Sequence, residues 1–412
     1  MLRRALALLC AIGLFYALFV YGASDINSRL IREDKEALPI LGKQRPLLLS
    51  ADALVEKAEQ LKVDNPEKAE QLVLTALQQD PSSGRAASFL LYLYLEQGEK
   101  EKARGIVEVA ESLWPSHTYT QSRIADYWLN QGQDEKVIQK WNILLARNGA
   151  LRKVLFPHLE KVILDEKVAG LLQPYADNPP AWWDSFFAHL SSRIPLQRLR
   201  EIYQVRSMSS VEISKVERRY YVSRLIKEQR WDEAHGIWFL GLEPTQSRYM
   251  GLVFDGGFES GVYNQGFGWQ FSRSKNPKIK LDVTYGIKGR RALHIVLRKK
   301  EKGISFRHVS QRLLLEPNKY TLSFRYRADA LKAEKGLSWR IRCINEAKQL
   351  LTESKSILGS SAWSASSINF EVPQGCRAQE LRLEATSRFW HQQKFSGGVW
   401  FDNVQISRRQ GK

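Results

Sequence analysis

The sequence predicts a multidomain chain, α then β: an N-terminal transmembrane helix, an α-helical solenoid, and a C-terminal antiparallel β-sandwich of the jelly-roll kind. Three observations predict it. Residues 5–22 carry neither charge nor proline, residues 50–151 repeat themselves at a spacing of 34, and from Leu252 the apolar residues change from helical spacing to alternation. A chain of 412 residues, 43% hydrophobic and 26% charged, has room for several cores and the composition of a folded protein. That excludes a disordered or fibrous chain and a single small module.

The first element is the uncharged run, whose eighteen residues reach about 27 Å as a helix, close to the thickness of a bilayer core. Arg3 and Arg4 on its short leading side place the N-terminus in the cytoplasm and the bulk of the chain outside it. The run is longer than a usual signal-peptide core and only Gly22-Ala23-Ser24 offers small residues for cleavage, so an uncleaved anchor is preferred to a cleaved signal peptide. Either way the chain is exported. The expectation is a single-pass protein of the cytoplasmic (inner) membrane, N-terminus inside and bulk periplasmic: residues 1–24 the anchor, with Cys10 a membrane-buried thiol, and 25–49 a charged stalk.

The helical region, expected over 50–244, rests on anchors that recur in register. Ala69, Ala103 and Val137 follow one another at 34 residues, Gln97-Gly98 returns as Gln131-Gly132, and Asp80-Pro81 returns as Trp114-Pro115. Small residues let antiparallel helices approach, the glycines suit the turns, and the prolines punctuate helix starts. This pattern resembles tetratricopeptide repeats at 50–83, 84–117 and 118–151, and Trp231-Asp232-Glu233-Ala234 resembles the second-helix start of one more unit. The resemblance implies a groove that recruits a protein partner. Trp128, Trp141, Trp182 and Trp183 are read as core in preference to groove.

The β-region, expected over 245–412, shows period two. Leu293, Ile295 and Leu297 alternate with His294 and Val296, Leu322 and Phe324 with Ser323 and Arg325, and Trp339, Ile341 and Cys343 with Arg340 and Arg342. Cys343 and Cys376, two cysteines in one exported module, suggest a disulfide, with buried free thiols as the alternative.

Charge then selects the partner class. Residues 1–244 hold 32 Lys and Arg against 31 Asp and Glu, whereas residues 245–412 hold 30 against 13. A basic module favours an anionic partner; export weakens the case for nucleic acid, so none is expected, and leaves acidic glycan, lipid head groups or protein. The run Arg298-Lys299-Lys300-Glu301-Lys302 is a candidate for contact with anionic lipid.

Phe254-Asp255-Gly256-Gly257-Phe258-Glu259 with Gly266-Phe267-Gly268-Trp269, and Val399-Trp400-Phe401-Asp402-Asn403-Val404-Gln405-Ile406, resemble the first and last strands of jelly-roll carbohydrate-binding modules. Val372-Pro373-Gln374-Gly375-Cys376 leading into Leu381-Arg382-Leu383 fits a strand pair of that fold. In organisation the chain is similar to membrane-anchored bacterial tetratricopeptide proteins associated with exopolysaccharide production. The resemblance implies binding of an anionic polysaccharide, and a possible structural calcium ion between Glu259 and Asp402. The plain alternative for those two is capping of backbone amides or pairing with Arg.

Trp269, Trp363 and Trp390 are the candidate sugar platforms, because an indole face covers the apolar side of a pyranose. Trp339 is assigned to the core, and Trp400 is a poorer candidate for the same reason. Arg325 with Arg327, and Arg340 with Arg342, face away from the core of their strands. Were the two strands neighbours, four guanidinium groups would share one face suited to carboxylate or phosphate; the plain alternative is a solvated face with Glu partners. No HExxH, nucleophile elbow, P-loop or paired CxxC is present, and the seven histidines are isolated in sequence. The expectation is a non-catalytic protein, with a pure protein- or lipid-binding scaffold as the second reading and a polysaccharide-modifying enzyme as the third.

Overall fold

The structure, a computed structural model, describes residues 49–298, 305–344, 348–385, 389, 392 and 394–409. The expected membrane helix with Cys10, all but the last residue of the expected stalk, the basic run after Arg298, and Trp390 lie outside them. Among the described residues no helix is long and apolar enough to cross a membrane.

The described residues fall into two compact units: one up to Phe186 together with Ser209–Val211, the other Phe187–Met208 with Glu212 onward. In the first, six helices follow one another as α1 (Ala51–Leu61), α2 (Pro66–Gln79), α3 (Gly84–Glu96), α4 (Lys100–Leu113), α5 (Thr118–Asn130) and α6 (Asp134–Arg147). The even-numbered ones start at 66, 100 and 134, the spacing read from the repeat. Local chemistry sets the ends. The side chains of Ser50, Asn65 and Ser83 accept from backbone amides three residues on, and Pro66 occupies a first-turn position where no amide hydrogen is needed. Gly98 and Gly132 sit at φ 72° and 66°, the left-handed conformation that ends the first helix of a pair. Ala58, Ala69, Ala76, Ala103 and Ala110 are buried at the helix contacts. After α7 (Arg152–Leu164) and α8 (Gln173–Asp177), Trp182 and Trp183 are buried beside Phe186 as expected of core residues.

The second unit begins within α9 (Trp183–Arg193) and continues through α10 (Leu196–Met208), α11 (Lys215–Lys227), α12 (Trp231–Leu240) and the short α13 (Pro244–Ser247). Ser214 and Glu217 form a capping box at the start of α11. Glu217 also receives Nε and Nη2 of Arg206 at 2.8 and 3.1 Å, and both side chains are fully buried. The passage from the last helix, ending at Ser247, to the first strand, beginning at Gln270, lies inside this unit: Trp238 of α12 packs against Phe254 and Phe267, with ring centroids 5.2 and 5.7 Å away.

Two five-stranded antiparallel sheets complete the unit. Their strands are β1 (Gln270–Phe271), β2 (Lys278–Val283), β3 (Arg291–Leu297), β4 (Val309–Leu313), β5 (Asn318–Lys332), β6 (Leu337–Cys343), β7 (Leu350–Glu353), β8 (Gly359–Val372), β9 (Gln379–Ala385) and β10 (Ser396–Arg408). The first sheet runs β1-β4-β9-β6-β7 and the second β2-β3-β10-β5-β8. Leu293, Ile295, Leu297, Leu322, Phe324, Trp339, Ile341 and Phe401 fill the core. Cys343 and Cys376 are joined by a disulfide.

Two sequence expectations need correction here. The segment opening at Phe254 is a turn, not a strand, because the Asp255 carboxylate collects the amides of Glu259 and Ser260 and the Ser260 hydroxyl, while Asp255 and Phe258 adopt positive φ. Local side-chain bonding outcompetes a ladder there. The residues around Val372 and Leu381 do not pair either, since β8 is an edge of the second sheet and β9 the centre of the first.

Candidate functional site

Alternation sends every second residue of a strand to the outer side of its sheet. On the second sheet the registers line these residues into one row: Lys280 of β2 lies opposite His294 of β3, His294 opposite Trp400 of β10, and Trp400 opposite Arg327 of β5. Such cross-strand neighbours are close enough to pack directly. The His294 imidazole stacks on the Trp400 indole at 4.0 Å between centroids and 15° between planes, and Cζ of Arg327 lies 4.0 Å from the centroid of the same indole. Trp363 of β8 extends the row, with Arg325 and Arg327 at 5.7 and 5.8 Å from its centroid. Its Nε1 donates to the Tyr285 carbonyl at 2.9 Å, which pins the β2–β3 loop to this face, and the Tyr285 side chain stands exposed. Ser323 and its cross-strand partner Ser367 add hydroxyls beside Arg325.

Asp282 closes the other end of the row, contacting Nζ of Lys280 at 2.5 Å and Nδ1 of His294 at 2.6 Å. Burial pulls the His294 pKa below its usual value, against the opposing pull of the Asp282 carboxylate. For Asp282, burial acts upward, but the hydrogen bonds from Lys280 and His294 prevail and hold it below the usual carboxylate range. Chemically, the face offers indole surface for the apolar side of a pyranose, hydroxyls for its polar rim, and guanidinium forks for carboxylate or phosphate.

Of the residues singled out from the sequence, Trp363, Arg325 and Arg327 meet here. Trp269 does not: it is a core residue, 2% exposed, its Nε1 donating to the Asp255 carbonyl and its ring packed on Phe258, so it offers no platform. Arg340 and Arg342 are also elsewhere. Because β5 and β6 belong to different sheets, the four arginines divide between two faces. On the first sheet Arg340 pairs with Glu353 (2.9 Å) and Glu384 (3.1 Å), Arg342 with Glu384 (2.8 Å), and Arg382 with Glu380 (2.5 Å) and Glu384 (3.5 Å). Burial pushes the Glu384 pKa up, but the surrounding arginines, Arg342 foremost, bring it below the usual range. These guanidinium groups are committed to carboxylates, the plain alternative weighed above. Trp400, set aside as a core residue, stands instead in the outer row, and His294, Lys280 and Asp282 were missed. The signal for Trp400 was available, since Val399 and Phe401, on either side of it in β10, are core residues and alternation therefore turns Trp400 outward.

Glu259 and Asp402 lie near one end of the same sheet. Oε1 of Glu259 accepts from the amides of Arg290 and Arg291 at 2.7 and 2.9 Å, and Oδ2 of Asp402 accepts from the amide of Lys288 at 3.2 Å. Oδ1 of Asp402 is buried with no hydrogen-bond partner among the described residues, and burial raises the pKa of that carboxyl. A buried, unsatisfied carboxylate oxygen beside a second carboxylate suits a hard cation, so the residues present are compatible with calcium. Among the described residues no group of three or more His, Cys, Asp or Glu side chains converges on a metal position.

No family model matches the sequence, and no curated protein does. Solved structures that match part of the chain include a family 4 carbohydrate-binding module (15% identity, 38% of this chain and 99% of that one, TM-score 0.28). A family 61 module in complex with β-1,4-galactotriose matches at 16% identity over 39% of this chain and 99% of its own, TM-score 0.28. The xylan-binding family 22 module of Xyn10C from Paenibacillus barcinonensis matches at 14% over 38% and 93%, TM-score 0.25. An arabinose-bound family 51 α-L-arabinofuranosidase matches at 11%, over 38% of this chain and 26% of its own, TM-score 0.29. These neighbours are mainly carbohydrate-binding modules. The chain's own elements form a helical region followed by a C-terminal antiparallel β-sandwich.

Proposed function

We propose that this chain is a non-catalytic accessory protein of exopolysaccharide assembly or export, anchored in the cytoplasmic membrane with its bulk on the periplasmic side. Its β-sandwich holds an anionic polysaccharide on the outer face of the second sheet, and its tetratricopeptide-like helices recruit a partner protein. The row Lys280–His294–Trp400–Arg327, continued by Trp363 and Arg325, carries this reading. In it Trp363 supplies the ring face. Trp400, held from β3 by His294 and from β5 by Arg327, keeps the Arg327 guanidinium in place, and Arg325 and Arg327 take the acid groups of the polymer. Glu259 and Asp402 hold a structural calcium ion in the same proposal, and the ion would supply positive charge to the buried Asp402 oxygen.

The test is retention of the full chain, purified in detergent, on polygalacturonate, alginate and neutral dextran at low and moderate salt. Salt-sensitive retention confined to acidic polymers, weakened by Trp363→Ala and by Arg325→Ala with Arg327→Ala, is expected. Retention on none of them would leave a protein- or lipid-binding scaffold, and release of new reducing ends would overturn the non-catalytic reading.

A further inference from the structure

A cavity of about 180 Å³ opens within the second unit, between α11, the end of α12 and the loop before β1. It is separate from the outer face of the second sheet. Three cations line it, Lys215, Arg218 and Arg219, against one acid, Glu243, which pairs with Lys215 at 2.7 Å. Trp238 supplies an apolar wall and the largely exposed Tyr263 stands at the rim.

The walls are held in place by close backbone approach. A Cβ on Gly241 would lie 2.2 Å from Cδ of Arg218, so the arginine stem rests directly on that backbone. At Gly266, in the left-handed region at φ 52°, a Cβ would lie 2.3 Å from Cδ1 of Trp238. Arg218 and Trp238 are thereby preorganised, and preorganised groups bind without an ordering cost.

Size and charge together select the occupant. A cavity of about 150 Å³ accepts a benzene ring and drug-sized ligands need about 300 Å³ or more, so the space suits one six-membered ring with a small substituent. The excess of cations requires that substituent to be anionic, and the apolar wall at Trp238 suits the carbon skeleton of a ring. We propose that this cavity is a second binding site, specific for a single six-membered ring bearing a carboxylate, such as one hexuronate unit.

The experiment titrates the full chain with sodium glucuronate, glucose and inorganic phosphate at low salt, by calorimetry and by ligand-observed NMR. Glucuronate is expected to bind at least ten-fold more tightly than either of the others. Lys215→Glu with Arg219→Glu, two exposed positions, is expected to weaken it by ten-fold or more, and Tyr263→Ala by several-fold. Arg342→Ala, on the first sheet and outside both sites, is expected to leave it unchanged. Equal binding of glucose would remove the need for charge, equal binding of phosphate the need for a ring, and either would overturn the proposal. So would unchanged binding by the charge-reversed variant. Loss of glucuronate binding on Trp363→Ala would assign it to the sheet face instead and equally overturn the cavity.

Discussion

Arg327→Ala and Arg342→Ala remove the same chemical group from opposite sheets and are expected to have opposite signatures. Arg327 is anchored only through indole faces, at 4.0 Å from Trp400 and 5.8 Å from Trp363 among the described contacts. A cation–π contact at a half-exposed site is worth about 0.5–1 kcal/mol, so truncation should lower stability by no more than that. Its charge-assisted hydrogen bonds to a polymer carboxylate are worth about 1.5–3 kcal/mol, which corresponds to a loss of roughly 10- to 150-fold in affinity. Arg342 instead bonds Glu384, whose side chain is 13% exposed among three arginines. Its removal should cost about 1–2 kcal/mol of stability, because a partly buried carboxylate loses one of its partners, and leave polymer affinity unchanged. Urea denaturation at constant m-value reads the first quantity and calorimetry against polygalacturonate the second. Wild-type affinity in Arg327→Ala, or a loss of affinity in Arg342→Ala as large as in Arg327→Ala, would refute the assignment of the binding face.

Glu217→Gln leaves the fully buried Arg206 guanidinium without its carboxylate and should lower stability by about 3–5 kcal/mol in urea denaturation; a change under about 1 kcal/mol would mean that the pair is not buried in solution. His294 has a pKa lowered by burial from the 6.5 of a free histidine, so the unfolded chain binds the proton first as pH falls. Stability should therefore be full above about pH 6.5 and decline below it, and His294→Gln should flatten that decline, as measured by thermal melts between pH 5 and 8. His235 and His308 are lowered in the same direction and leave a residual slope. Calcium should raise the melting temperature of the wild-type chain and a chelator reverse it, while Asp402→Asn responds to neither; equal responses would place the ion elsewhere. Reduction of the Cys343–Cys376 bridge, at a sequence separation of 33, should cost about 3–4 kcal/mol by loop closure, read by denaturation with and without reductant.

Much of the fold was legible because it rests on period and local chemistry. The spacing of 34 reappears in the helix starts at 66, 100 and 134, and the alternation of β3, β5 and β6 separates core from surface as read. The turn at Asp255 was not legible, because three hydrogen bonds to one carboxylate override an apolar-looking segment. The candidate site was legible only in part: alternation turned Arg325 and Arg327 outward, and Trp363 was named as a platform, but Trp269 was misplaced.

By itself the amino-acid sequence determined where the second helices of the 34-residue repeat start, which face of β3, β5 and β6 is apolar, and that the basic charge collects in the last 168 residues. Those are consequences of side-chain spacing and composition along the chain, which every residue carries with it. Which strands lie side by side was decided only by the tertiary structure. β5 and β6 are consecutive in sequence yet belong to different sheets, and β10, the last strand, lies between β3 and β5. Pairing is a choice among distant segments with similar patterns, settled by packing of the shared core, and it puts Arg327 against an indole and Arg342 against a carboxylate.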